Sequence, residues 1–108
     1  MKNSEKEPLH TIIVQDEGDI LTAIFPTVAF SNRNDVTVYD SVSGHSSGTK
    51  DWYKTTKKPE QNEKYTNFVN HIQSIYEDME IKVVEKWLNK YDTERYEDYR
   101  SKCMSEYN

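Results

Sequence analysis

Apolar residues are grouped along the first part of the chain, and clusters of turn-forming residues separate the groups. Leu9-His10-Thr11-Ile12-Ile13-Val14 is rich in β-branched residues, which lose side-chain freedom in a helix and pack well on a pleated surface. Asp16-Glu17-Gly18-Asp19 interrupts this run and Ile20-Leu21-Thr22-Ala23-Ile24-Phe25 resumes it, the pattern of a β-hairpin in which Gly18 can take a positive φ. Pro26 is expected to close the second strand. After a second turn cluster at Ser31-Asn32-Arg33-Asn34-Asp35, alternation takes over. Val36, Val38 and Val42 fall on one face and Thr37, Tyr39 and Ser41 on the other, predicting a half-buried third strand.

The period then changes. Ser41 to Thr49 is rich in small polar residues and reads as a tight loop or short irregular hairpin. Pro59, followed by Glu60 and Glu63, suits the start of a helix, because proline tolerates the first turn and carboxylates complement the helix dipole. From there Tyr65, Phe68, Val69, Ile72, Ile75, Tyr76 and Met79 recur at spacings of three and four, which places them on one helical stripe. Glu80 to Trp87 predicts a fourth strand. Residues 89–108 lack Gly and Pro and scatter Tyr91, Tyr96, Tyr99, Cys103 and Tyr107 among charges, a pattern compatible with a second helix.

These elements predict an α+β fold of order β-β-β-α-β: an antiparallel or mixed sheet of about four strands packed on one amphipathic helix, followed by a C-terminal helix. The expected organisation is a disordered polar leader over residues 1–8, a single domain over 9–88, and a helical extension over 89–108. With 108 residues the chain has enough length for one core and not for two full domains. Its 12% aromatic content, including 8 Tyr, sets it apart from aromatic-poor disordered sequences.

Charge narrows the function classes. The formal charge is −5; residues 1–58 hold 7 basic and 8 acidic residues, whereas residues 59–108 hold 7 and 11. This balance disfavours sequence-independent binding to phosphates. One cysteine, Cys103, precludes an internal disulfide. Residues 1–8 lack the apolar core of a signal peptide and no run approaches the length of a membrane span, so a cytoplasmic protein without membrane contact is expected.

Several groups could carry chemistry. His45 lies beside Ser46 and Ser47 in Gly44-His45-Ser46-Ser47, and an imidazole next to hydroxyls could activate one as a nucleophile. Neighbouring loop residues seldom hold that geometry, and no G-x-S-x-G elbow is present, so a ligand contact or a structural hydrogen bond is the favoured role for His45. His10, His45, His71 and Cys103 lack the spacing of a metal site, and neither a metal nor another cofactor is expected. His71 falls off the apolar centre of its helix, on a flank. Lys50, Trp52, Tyr53, Lys54, Lys57 and Lys58 form a basic segment with two aromatics, which could clamp phosphate while stacking on a base. The plainer reading has Trp52 or Tyr53 packed onto the sheet with the lysines in solvent. Glu77, Asp78, Glu80, Glu94, Glu97 and Asp98 could mimic a phosphate backbone, although a solvated helical face is the commoner arrangement. Tyr91, Tyr96, Tyr99 and Tyr107 could give the tail an interaction surface, because tyrosine combines a rigid contact area with a hydroxyl.

The ordered motifs Gly18-Asp19-Ile20, Ala23-Ile24-Phe25-Pro26, Tyr39, Gly44-His45-Ser46, Thr56-Lys57-Lys58-Pro59, Tyr65, Ile75-Tyr76 and Val83-Val84 resemble those of a group of small uncharacterised bacterial proteins often encoded on plasmids, prophages and integrative elements. The resemblance spans about residues 11–86. It implies a mobile-element context and transfers no activity. The chain departs from the pattern after Trp87, and before His45, where a Gln is usual.

The resulting expectation is a small non-catalytic binding protein that acts through protein–protein interaction, with an inhibitor of a host defence system as its specific form. Two alternatives stand beside it: a nucleic-acid or nucleotide binder using the 50–58 segment, and a small hydrolase centred on His45. Short edge strands leave homodimerisation by strand pairing open.

Overall fold

The computed structural model describes residues 6–16, 18, 20–31 and 35–94. Strand β1 (Glu7–Gln15) turns back through Gly18 into β2 (Leu21–Ala29), with Ile12 opposite Ile24 and Ile13 opposite Ala23. Gly18 has a φ of 69°, the left-handed conformation that the turn demands. The Gln15 side-chain amide donates to the Gly18 carbonyl at 2.9 Å, and the Asp16 N–H donates to the Ile20 carbonyl at 3.1 Å. Strands β3 (Val36–Asp40) and β4 (Gly44–Gly48) continue the antiparallel sheet. A short helix α1 (Lys50–Tyr53) and a longer helix α2 (Glu63–Ile75) then carry the chain to the far edge. There β5 (Met79–Val83) pairs in parallel with β1, and a last helix α3 (Asn89–Glu94) follows. The sheet order is β4-β3-β2-β1-β5.

Both faces of the sheet are covered. On one face Leu9, Ile13, Leu21, Ala23, Phe25 and Val28 pack under Phe68 and Ile72 of α2. On the other, Ile12, Val14, Ile24, Val36 and Val38 pack under Trp87 and Tyr91, with Trp52, Tyr53 and Val84 at the margin. Strands that meet protein on two sides need apolar residues at odd and even positions alike. That is why Ile12-Ile13-Val14 and Leu21 to Phe25 lack the alternation seen in Val36-Thr37-Val38; every residue of β2 is buried.

The α+β architecture agrees with the sequence, and the differences lie in where elements begin and end. The sheet has five strands because Gly44 to Gly48, in the stretch read as a loop or irregular hairpin, pairs along its whole length with β3. Val42 therefore sits in the connecting turn, 75% exposed, rather than on the buried face of β3. Strand β2 does not end at Pro26. It runs to Ala29, and the β2–β3 register shifts between Phe25 and Ala29, the kind of irregularity at which a residue without an N–H fits inside a sheet. Strand β1 begins within the expected leader, because Glu7 and Pro8 lie opposite Met79 and Glu80 of β5; residues 1–5 of that leader lie outside the described residues.

Helix α2 starts later than Pro59. Pro59 is itself buried, and Asn62 caps the helix by accepting from the Tyr65 N–H at 3.1 Å. Only Phe68 and Ile72 of the predicted stripe are buried on α2; Ile75 is exposed and Met79 already belongs to β5. Gln73 sets the exit from the helix. Its amide donates to the carbonyls of Tyr76 (3.1 Å) and Met79 (2.7 Å), and its oxygen accepts from the Ile81 N–H (3.0 Å), fixing the turn between α2 and β5. The final strand ends at Val83, four residues before Trp87, which has left the sheet edge for the second core. No described helix is long and apolar enough to cross a membrane.

Candidate functional site

Strand alternation decides what the Gly44-His45-Ser46-Ser47 segment can do. His45 lies opposite Tyr39, and Ser46 lies opposite Val38, whose side chain belongs to the core on the other face. Adjacent residues of a strand project to opposite faces, so His45 and Ser46 point apart. Ser47 shares the His45 face but sits one full pleat repeat away, roughly 6.6 Å along the strand. The imidazole has another partner: its Nε2 is hydrogen-bonded to the hydroxyl of Tyr76, at the C-cap of α2. Of the two roles expected for His45, a structural hydrogen bond and a ligand contact, the first is present in its bond to Tyr76.

His45 also belongs to a larger aromatic group. Its ring centroid is 4.9 Å from that of Tyr39 and 5.9 Å from that of Tyr76. The Tyr39 hydroxyl is hydrogen-bonded at 2.9 Å to Nε2 of His71, and the Tyr39 ring stacks at 6.4 Å against Phe68. Phe25 meets Tyr76 edge-on at 5.3 Å. Two histidine–tyrosine pairs thus tie β3 and β4 to α2. Burial lowers the His45 pKa below 6.5, because desolvation penalises the imidazolium. His71, expected on a flank of its helix, is exposed. Its pairing with Tyr39 was illegible, since the two residues are 32 positions apart and only the crossover brings them together.

The basic segment divides into two parts. Thr49 caps α1, its hydroxyl accepting from the Trp52 N–H at 3.2 Å. This cap directs Trp52 and Tyr53 toward the second core, where Trp52 Nε1 donates to Asp16 at 3.2 Å and Tyr53 lies 5.7 Å from Trp87. Both rings are half-buried. Lys50 is drawn to α3, where it pairs with Asp92, donates to the Asn89 side chain at 3.1 Å, and lies 5.8 Å above the Trp87 ring.

Lys54, Lys57 and Lys58 stay at the surface. The Lys57 backbone exchanges hydrogen bonds with Gln15 (2.8 and 3.0 Å), which holds the loop against the end of β1. A groove of ≈ 230 Å³ opens there, lined by Tyr53, Lys54, Thr56, Lys57, Lys58 and Glu85 over Ile12 to Val14. Lys58 pairs with Glu85 at 3.1 Å. Burial raises the nearby Tyr65 phenol above its usual value, with Lys58 opposing and Glu85 adding to the shift.

The tail reading changes for Tyr91. It is 2% exposed, and its ring lies 5.2 Å from His10, so it is core rather than interaction surface. Tyr96, Tyr99, Cys103 and Tyr107 lie outside the described residues, as do Glu97 and Asp98. Among the described residues, no group of three or more His, Cys, Asp or Glu is arranged to hold a metal ion. Comparison with protein-family models, curated proteins and solved structures gives no match for this chain.

Proposed function

We propose that this chain is a small non-catalytic binding protein that acts through protein–protein interaction. The observation that carries the reading is the engagement of His45 by Tyr76 while Ser46 faces the opposite side of the sheet, which separates the base from its neighbouring hydroxyl. The packing of Trp52 and Tyr53 at the margin of the second core adds support, since it engages part of each ring that a phosphate-and-base clamp would use. The likeness of its motifs to those of mobile-element proteins, together with the net charge of −5, favours an inhibitor of a host defence system acting in the cytoplasm.

The test is a tagged chain exposed to host lysate with and without nuclease, beside an assay of the pure protein against ester, phosphoester and nucleotide substrates. One protein recovered in near-equal amount despite nuclease, with no turnover, is the expected result. Turnover that His45→Ala abolishes would sink the reading. A second reading, an anion or nucleotide binder, is favoured by the groove beside Tyr53, where Lys54 and Lys57 accompany the paired Lys58. Salt separates the two, because binding carried by phosphate contacts weakens steeply with ionic strength.

A further inference from the structure

The two edges of the sheet are built differently. At one edge β5 carries Glu80 and Lys82, both exposed, and charged residues are a common guard against an incoming strand. At the other, β4 is Gly44-His45-Ser46-Ser47-Gly48, with no lysine, carboxylate, proline or bulge. Its inner side is fully paired with β3, and among the described residues no strand lies on its outer side. The tie from His45 to Tyr76 and the packing of Gly48 against Val38 and Trp52 hold both ends of β4 in place, so the edge is preformed.

We infer that β4 is a homodimerisation edge, pairing antiparallel with β4 of a second copy about a two-fold axis through Ser46. The segment is nearly palindromic, and this register makes it self-complementary. Gly44 faces Gly48 of the partner subunit, His45 faces Ser47 of the partner subunit, and the two Ser46 residues face each other. No pair sets like charges together, and the His–Ser and Ser–Ser pairs are hydrogen-bond capable, which favours cross-strand pairing. The same register on β5 would set Ile81 against itself and Glu80 against the partner subunit's Lys82, an opposite-charge pair that the register does not penalise; what distinguishes β4 is that it carries no charged side chain at all. The occupant of β4 is therefore a second copy, and the product is one sheet of ten strands. Gly48 is buried, so the accessible contact is the segment Gly44 to Ser47; it is small, and the dimer is reversible with a population that depends on concentration. This inference is independent of the proposed function, which concerns a partner other than a second copy.

Size-exclusion chromatography with light scattering, run from dilute to NMR concentrations, reads it directly. The wild-type mass should rise from that of one chain toward that of two. Ser46→Lys, which sets two ammonium groups against each other on the axis, should hold the mass at one chain, with circular dichroism reporting an intact fold. Lys82→Ser on the opposite edge should leave the dimer unchanged. Should Ser46→Lys fail to fold, Ser46→Cys in a Cys103→Ser background supplies the second measurement. Mild oxidation should then link the two copies through position 46, and a matched Glu80→Cys variant should link far more slowly. A wild-type mass of one chain at every concentration would overturn the inference, as would a dimer indifferent to Ser46→Lys or equal cross-linking at positions 46 and 80. A heterologous partner recovered from lysate by a monomeric wild type would uphold the proposed function and refute the dimer.

Discussion

His45 Nε2 on β4 is hydrogen-bonded to the Tyr76 hydroxyl beyond the end of α2, across 31 positions of sequence. The bond anchors the outermost strand of the sheet to the helix that covers it. Burial also lowers the His45 pKa below 6.5, because desolvation penalises the imidazolium.

That shift predicts a pH dependence of stability. As pH falls through 6.5, the unfolded chain takes up a proton at His45 before the folded chain does. The His45 contribution is therefore fully present above 6.5 and is lost progressively as pH falls from 6.5 toward the lower folded value. Urea midpoints measured between about pH 7.5 and pH 5.5 should fall for the wild type and fall less for His45→Gln. Parallel slopes for the two proteins would assign the dependence to other groups.

Gly48 is demanded by a close approach rather than by its backbone angle. A methyl group there would come within 2.8 Å of Val38 Cγ1 and within 3.0 and 3.1 Å of the Trp52 ring. Gly48→Ala should cost about 1–3 kcal/mol, the usual penalty for overpacking a filled site. At Gly44 nothing lies within 4 Å, but φ is 76°, so Gly44→Ala should cost on the order of 1 kcal/mol through backbone strain alone. Equilibrium denaturation of both variants checks the order of the two effects.

Tyr91 should behave as a core residue. Tyr91→Ala is expected to cost about 3 kcal/mol, in the range for buried aromatic truncations. Ending the chain after Leu88 should likewise lower stability and expose Trp87, which packs in the same cluster. A truncated protein with wild-type stability would restore the tail to the role of a separable appendage.

Two ion pairs should differ in weight. Asp92 accepts from Lys50 and, through its second oxygen, from Trp87 Nε1 at 3.1 Å, so Asp92→Ala removes a part-buried indole hydrogen bond as well as breaking an ion pair. A loss of about 1–2 kcal/mol is expected, most of it from the indole rather than from the half-screened charges. Glu85 and Lys58 are 72% and 68% exposed, and Glu85→Ala should stay within about 0.5 kcal/mol of wild type. Thermal or urea denaturation of the two variants at equal ionic strength makes the comparison.

The strands β1, β2 and β3, the helix α2 and the α+β class are legible in the sequence, because each depends on a pattern confined to a few neighbouring residues. β-Branched runs, turn clusters and the stripe from Tyr65 to Ile72 all have this local character. Tertiary structure decided what local pattern could not express. Gly44 to Gly48 has weak strand propensity and forms β4 only because β3 provides its hydrogen bonds. Pro26 lies within a strand because the β2–β3 register slips around it. At the candidate site the groups able to do chemistry are legible from residue type alone: His45 with its serines, the lysines of 50–58 and the tyrosines of the tail. Their partners, Tyr76 for His45, Asp92 for Lys50 and Asp16 for Trp52, sit 31, 42 and 36 positions away and meet only once α2, α3 and α1 respectively have packed on the sheet. Side-chain type is local information. Which groups come within bonding distance is set by the burial of the two core faces, a property of the whole chain.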